Sequence, residues 1–130
     1  MIVVDTNILA YLYLPGEFTA AAEALLEREP AWAAPPLWRS EVRNILLGYV
    51  RRSMLSFEQA CSLQAEAESL MEGFEFDVHS RDVMALARES DCSAHDCEFV
   101  ALAERLDARL VTMDKKVLKA FPKRAVALVS

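Results

Sequence analysis

Four acidic residues stand where the sequence pattern changes from one element to the next. Asp5 follows an apolar run at residues 2–4, and Asp114 follows a second apolar run. Glu41 and Asp96 come early in two stretches with helical periodicity. Carboxylates gathered without a counter-ion repel one another, whereas Mg²⁺ or Mn²⁺ prefers such oxygen ligands. The set therefore predicts a divalent-cation site whose ligands and catalytic residues are Asp5, Glu41, Asp96 and Asp114.

Each of these acids also has a structural explanation that requires no chemistry. Asp5 and Asp114 can cap the helices predicted after their strands. Asp96 is the third residue after Ser93, where an acid stabilises the start of a helix. Glu41 can be an ordinary solvated residue on a helix face. The functional interpretation therefore depends on all four acids meeting at one place.

The apolar pattern alternates between short strand-like runs and helical stretches from end to end. The strand candidates are residues 2–4, 32–34, 74–78, 110–113 and 125–129. This alternation predicts a single α/β domain over residues 1–130, a sandwich built on a mostly parallel sheet. Parallel strands end at a common edge, where ligands bind. Asp5 and Asp114 should lie at that edge, and we expect the helices carrying Glu41 and Asp96 to begin there.

The overall charge bears on the kind of partner this chain can bind. At 130 residues it carries a net charge of −6 and a pI near 4.9. That charge argues against nucleic-acid binding through attraction to the whole surface. It still permits a nuclease whose acids are gathered in a metal site with basic residues around it.

The distribution of apolar residues and cysteines predicts a cytoplasmic protein with reduced thiols. No apolar run approaches the roughly 20 residues needed to span a membrane, and Asp5 interrupts any signal-peptide pattern. The three cysteines are unevenly spaced, which does not indicate a disulfide framework. Cys92, His95 and Cys97 lie close in sequence, but no second Cys/His pair completes a zinc site.

Four motifs together resemble those of the PIN-domain ribonucleases, among them the VapC-type toxins of toxin–antitoxin pairs. The motifs occupy residues 5–7, 40–46, 93–103 and 110–118, and they include the sequences Asp5-Thr6-Asn7 and Ser93-Ala94-His95-Asp96. Each motif alone is weak, but their order and spacing match the family over nearly the whole chain. The resemblance implies a three-layer α/β sandwich with a five-stranded sheet in the order 3-2-1-4-5.

The resemblance also implies metal-dependent hydrolysis of RNA phosphodiester bonds, leaving 5′-phosphate and 3′-hydroxyl ends. Mg²⁺ or Mn²⁺ at the four acids would activate water and stabilise charge on the phosphate. Polar neighbours would orient the acids, and these are Thr6, Asn7, Asn44 and Thr112. Basic residues would hold RNA phosphates, and these are Arg39, Arg43, Lys115 and Lys116.

Partners follow from the same resemblance. An antitoxin protein would cover the acidic cleft, and the chain would form a homodimer through helices on one flank. Candidate dimer contacts, each of which also suits the core, are Tyr49, Val50, Leu55 and Phe57. His95 stands where the family more often carries an aromatic residue, and Glu98 is a further candidate ligand; both also suit an exposed helix start.

Two other functions are compatible with parts of the pattern. A phosphatase or phosphotransferase could use Asp5 as its nucleophile, but enzymes of the haloacid dehalogenase type carry a second Asp where this chain has Asn7. A receiver domain needs adjacent acids after its first strand, and the positions of the other three acids do not fit that pattern. A catalytically silent binding module could keep the fold without metal, and the complete set of four acids argues against it.

Overall fold

Within residues 1–129, four short parallel strands form the sheet, in the order β2-β1-β3-β4. They are β1 (Ile2–Val4), β2 (Trp32–Ala33), β3 (Leu110–Thr112) and β4 (Ala125–Ala127). In this computed structural model, which describes residues 1–129, Val3 pairs with Ala33 of β2 and with Leu110 of β3. Strand β1 is therefore central, and its last residue leads to the middle of the carboxyl edge of the sheet.

Seven helices lie between or beside these strands in residues 1–129. They are α1 (Thr6–Tyr13), α2 (Thr19–Arg28), α3 (Leu37–Arg51), α4 (Phe57–Leu70), α5 (Ser80–Arg88), α6 (Ala94–Leu106) and α7 (Lys115–Ala120). Helix α3 packs against α1 and α4, and α5 packs against α6. In the part of the chain that the structure describes, no helix is both long and apolar enough to cross a membrane.

The prediction of a five-stranded sheet in the order 3-2-1-4-5 is wrong, because residues 74–78 do not form the third strand. Residues 74–78 contribute only an isolated parallel bridge between Glu75 and Ala34, beside β2. Ala34 directs both its N–H and its C=O at this segment, so the next donor toward it would be residue 36. Pro36 has no N–H group, and the pairing cannot continue along that edge. The other four strands keep the expected order.

Buried apolar side chains fix the elements that carry the acids. Val3 and Val4 of β1 are completely buried, as are Ile8 of α1 and Trp38 at the start of α3. Full burial of such side chains contributes roughly 1.5–3 kcal/mol each. The strand that ends at Asp5 and the helix that carries Glu41 are therefore both anchored in the core.

Candidate active site

The four predicted acids line a single cleft of about 230 Å³ at the carboxyl edge of the sheet. The acids are Asp5, Glu41, Asp96 and Asp114. The four polar residues predicted to orient them also line the cleft, and these are Thr6, Asn7, Asn44 and Thr112. An apolar wall of Ile45, Phe99, Leu110 and Val117 completes it.

Asp5 ends β1 and caps α1. One carboxylate oxygen accepts a hydrogen bond from the backbone N–H of Ile8 at 3.2 Å, and the other accepts one from the Thr112 hydroxyl. Burial raises the pKa of Asp5 to about 6, although these hydrogen bonds lower it, and the negative charge of Asp114 raises it further. The cleft thus contains negative charge that the described side chains do not neutralise.

Thr112 connects Asp5 with Asp114, the acid at the end of the neighbouring strand. Its side chain is almost fully buried, and its oxygen accepts a hydrogen bond from the backbone N–H of Asp114 at 3.0 Å. Asp114 in turn caps α7, where its Oδ1 accepts hydrogen bonds from the N–H groups of Lys116 and Val117 at 2.8 and 3.3 Å. One hydroxyl therefore sets the relative position of two carboxylates.

Glu41 reaches the cleft from the second turn of α3. Its Oε1 accepts a hydrogen bond from the Thr6 hydroxyl at 2.5 Å, and Thr6 is itself buried in the first turn of α1. Thirty-five positions separate the two residues in sequence. This contact joins the helix after β1 to the helix after β2.

Asp96 enters from the first turn of α6. Its backbone N–H donates to the Ser93 hydroxyl at 3.1 Å, so Ser93 caps this helix as its position in the sequence predicts. Within residues 1–129, no hydrogen bond or ion pair holds the Asp96 carboxylate. This acid is therefore available to an external ligand.

His95 and Glu98 flank Asp96 but are not among the residues lining the cleft. His95 is exposed, and Glu98 is half-buried. Burial raises the pKa of Glu98, nearby His95 lowers it, and Glu41 raises it again. Glu98 therefore adds to the negative potential around Glu41 from outside the cleft.

The predicted RNA-binding residues differ in how available they are. Lys115, Lys116 and Arg43 are exposed, and Arg43 makes only a 4.0 Å ion pair with Glu68. Arg39 instead directs Nε and Nη2 at the two oxygens of Glu75, each at 2.7 Å, and Nη1 at Glu68 at 3.0 Å. The guanidinium of Arg39 is engaged with protein carboxylates and does not point a free charge at the cleft.

Sequence reasoning missed the acid that holds Arg39. Glu75 also accepts a hydrogen bond from the indole Nε1 of Trp38 at 2.7 Å, and the Arg39 guanidinium holds the pKa of Glu75 below its ordinary value. The alternation Phe74-Glu75-Phe76 already sets the acid apart from its apolar neighbours. Its partners could be found only from the packing of α3 against the edge of the sheet.

The donor set suits a hard divalent cation in type and in charge. Its oxygen ligands are carboxylates, and burial, with a smaller contribution from the negative charge of Asp114, raises the pKa of Asp5, so a cation would favour its ionised form. As the side chains stand, no three acidic, imidazole or thiol groups within residues 1–129 lie close enough together to hold an ion. Both oxygens of Asp5 face protein donors, whereas the Asp96 carboxylate does not.

The model of the PIN domain family matches residues 2–123, which include all four acids. The chain belongs to the PIN domain family. Ribonuclease VapC3 of Pyrobaculum aerophilum is 32% identical to this PIN domain over 127 residues, covering 93% of the chain and 95% of that protein. The resemblance to VapC-type members of the family is confirmed.

Solved structures give the same fold. A toxin–antitoxin complex from Klebsiella pneumoniae matches this PIN domain with a TM-score of 0.72 at 20% identity, covering 100% of the chain and 99% of that chain. FitAcB from Neisseria gonorrhoeae matches with a TM-score of 0.70 at 16% identity, covering 99% of the chain and 97% of that chain. At these identities the likeness supports the fold alone, an α/β PIN-like fold with a parallel sheet.

Proposed function

We propose that this PIN domain is a metal-dependent endoribonuclease and the toxin of a toxin–antitoxin pair. The observation that carries the proposal is the meeting of four acids in one cleft, in a chain 32% identical to Ribonuclease VapC3. Mg²⁺ or Mn²⁺ would be held by Asp5, Glu41, Asp96 and Asp114. When bound, such a cation activates water for attack and offsets the charge that develops on the phosphate.

The side chains around the acids would hold them in the orientation that binding and catalysis require. Thr112 donates to Asp5 and fixes the backbone of Asp114, while Thr6 donates to Glu41. Groups oriented before the substrate arrives need not reorganise during the reaction, which lowers its barrier. Asn44 lies one turn after Glu41 on α3, where its amide can reach a phosphate or a carboxylate at the mouth of the cleft.

Arg43 lies two positions after Glu41, so it points to the opposite side of α3, where it lines a separate groove with Glu68, and it has a smaller part in RNA binding. RNA would instead be held by the exposed Lys115 and Lys116, which follow Asp114 directly. Contacts of these residues with phosphates would position the strand, and unpaired bases would be recognised by shape and stacking. Arg39 has a smaller part in this proposal than the sequence suggested, because its guanidinium pairs with Glu75 and Glu68.

An antitoxin would be the protein partner, since the matched structure from Klebsiella pneumoniae is a toxin–antitoxin complex. A homodimer is the second assembly we propose. Phe57 is 62% exposed and is the strongest dimer candidate, whereas Tyr49, Val50 and Leu55 are partly buried. Light scattering on the purified chain, with Phe57→Ser for comparison, would test the dimer. We place the activity in the cytoplasm, in keeping with an RNA substrate and three free cysteines.

One observation favours a catalytically silent binding module as the second candidate. No three potential ligands among residues 1–129 converge closely enough to hold an ion as they stand. A silent module would bind its protein partner and show no metal affinity. Calorimetric titration with Mn²⁺ therefore separates the two candidates.

The deciding experiment is cleavage of tRNA, ribosomal RNA fragments and mRNA by the purified protein with Mn²⁺, with Mg²⁺ and with EDTA. We expect cutting that requires metal and is lost in Asp96→Asn, because Asn lacks the charge of the ligand. Glu104→Gln, at the exposed far end of α6, is the matched control and should cut normally. Absence of metal-dependent cutting in the unmodified protein would overturn the proposal, and absence of metal binding as well would favour the silent module.

A further inference from the structure

No side-chain cap fixes the start of α3. Pro36 occupies the N-cap position and offers no side-chain hydrogen bond, and the first turn contains no acidic residue. The N–H groups of Trp38 and Arg39 bond the carbonyls of Pro35 and Pro36 at 3.1 Å, so backbone contacts alone close this turn. Such local contacts do not set the rotation of the helix against the sheet, and the helix carries Glu41 in its second turn, so a contact of its side chains has to set that rotation.

Glu75 supplies that contact through the side chains of the first turn. Its two carboxylate oxygens accept three hydrogen bonds of 2.7 Å, one from the Trp38 indole and two from the Arg39 guanidinium. Trp38 is completely buried, and the bidentate geometry of Arg39 restricts its orientation as well as its distance. Glu75 is therefore hydrogen-bonded to two consecutive side chains of α3.

Glu75 is itself fixed at the edge of the sheet. Its backbone forms the isolated bridge to Ala34, with flanking hydrogen bonds of 3.2 Å on both sides. The same Arg39 guanidinium also reaches Glu68 of α4 at 3.0 Å. Through Glu75, the first turn of α3 is tied to the sheet that ends in the cleft.

The hydrogen bonds of Glu75 affect Glu41 through the rotation of α3 about its axis. Residues of an α-helix follow one another at about 100°, so Arg39 and Glu41 point to nearly opposite sides of α3. Glu75 holds the Arg39 side, and Thr6 holds the Glu41 side at 2.5 Å. A rotation of α3 by about 20° would move a side-chain end about 6 Å from the axis by roughly 2 Å. Such a shift is enough to remove a carboxylate from a ligand position.

We propose that Glu75 is a positioning residue for Glu41, acting through Arg39 and Trp38 on the rotation of α3. The inference rests on the proposed metal-dependent function, since it concerns the cation affinity of the same cleft. Glu75 does not line the cleft and would touch neither the cation nor RNA.

The test is Mn²⁺ affinity by isothermal titration calorimetry in Glu75→Gln, alongside RNA cleavage. Gln keeps an oxygen for Trp38 but loses the charge and the second acceptor for Arg39. We expect Mn²⁺ affinity to fall about tenfold, the lower end of the range for outer partners of metal ligands. In the background of Glu41→Gln, the same change at Glu75 should have no further effect, because the residue that it positions has already lost its role.

A second ion pair provides the matched control. Arg124 pairs with Asp107 at 3.1 Å, after the carboxyl end of α6 and away from the cleft. Asp107→Asn breaks that pair and should leave Mn²⁺ affinity unchanged. Asn tolerates the left-handed backbone at this position, so the variant should fold.

Three results would overturn the inference. They are unchanged Mn²⁺ affinity in Glu75→Gln, an equal loss in Asp107→Asn, and a loss that persists in full when Glu41 is already Gln. If Glu75→Gln does not fold, Arg39→Lys serves instead, since it keeps the charge and loses the bidentate geometry. A protein that binds Mn²⁺ but cuts no RNA contradicts the proposed function, while the binding data still decide the role of Glu75.

Discussion

The hydroxyl of Thr112 donates to the carboxylate of Asp5 across the ends of two neighbouring strands, in a nearly fully buried position. The same oxygen accepts from the backbone N–H of Asp114 at 3.0 Å. Asp5 has a raised pKa because its burial outweighs the hydrogen bonds that it accepts from Thr112 and from the backbone of Ile8 and Asn7. The Thr112 hydroxyl therefore holds the Asp5 carboxylate in one orientation, although burial makes the ionised form of that carboxylate unfavourable.

Thr112→Val should impair metal binding more than its similar shape suggests. The valine removes the donor to Asp5, so the pKa of Asp5 should rise above about 6 and Mn²⁺ affinity at pH 7 should fall. It also leaves the N–H of Asp114 without its acceptor, which costs about 1–3 kcal/mol of unfolding free energy. Titration calorimetry and chemical denaturation measure the two effects. Thr112→Ser keeps the hydroxyl and should restore most of both.

Asp5→Asn should stabilise the metal-free protein at pH 7 while it abolishes cleavage. Burial raises the pKa of Asp5 from 3.8 to about 6, so between these pH values the native state holds a proton that the unfolded state has released. The free energy of unfolding therefore declines as pH rises through this window, by about 3 kcal/mol at most. Asn avoids that loss and still caps α1. Denaturation of both proteins from pH 4 to 8 checks this, and parallel curves across the window would contradict it.

Metal should reverse the pH dependence of stability. A cation favours the ionised form of Asp5, so Mn²⁺ should protect the unmodified protein more strongly at pH 7 than at pH 5. Thermal unfolding with and without Mn²⁺ at the two pH values measures the difference. An equal increase in melting temperature at both pH values would argue that Asp5 is not a ligand.

Lys115→Gln should weaken RNA binding without altering the metal site. The side chain is exposed next to Asp114, and loss of a phosphate contact should raise KM several-fold and reduce the dependence of binding on salt. Lys123→Gln is the matched control, because this exposed lysine lies in the turn before β4, at the opposite edge of the sheet. An equal effect of the two changes would indicate a general charge effect and not a local contact.

Arg39→Met should lower the free energy of unfolding and the Mn²⁺ affinity, and it should leave the salt dependence of RNA binding unchanged. Its guanidinium is bound by Glu75 and Glu68, so little of its charge is available to a phosphate. Cleavage rates at several salt concentrations, compared with those of Lys115→Gln, distinguish the two roles. A change in salt dependence as large as that of the lysine variant would return Arg39 to the RNA-binding set.

Features that depend on neighbouring residues could be predicted from the amino-acid sequence. An apolar run followed by Asp5 indicated a strand that ends in a helix cap, and Ser93 with Asp96 indicated the start of α6. Four of the five strand candidates and their order followed from the alternation of apolar patterns and the family resemblance. These features depend on local propensity, periodicity and capping, which involve residues close together in sequence.

Contacts between residues far apart in sequence could be found only in the folded protein. Thr6 holds Glu41, and Glu75 holds Arg39 across 36 positions, because α3 packs where the edge of the sheet and α1 come together. Residues 74–78 form only a single bridge beside β2, since Pro36 has no N–H group to continue the pairing. Partner choice among charged side chains depends on distance and burial in the folded state, and these are not properties of any short stretch of sequence.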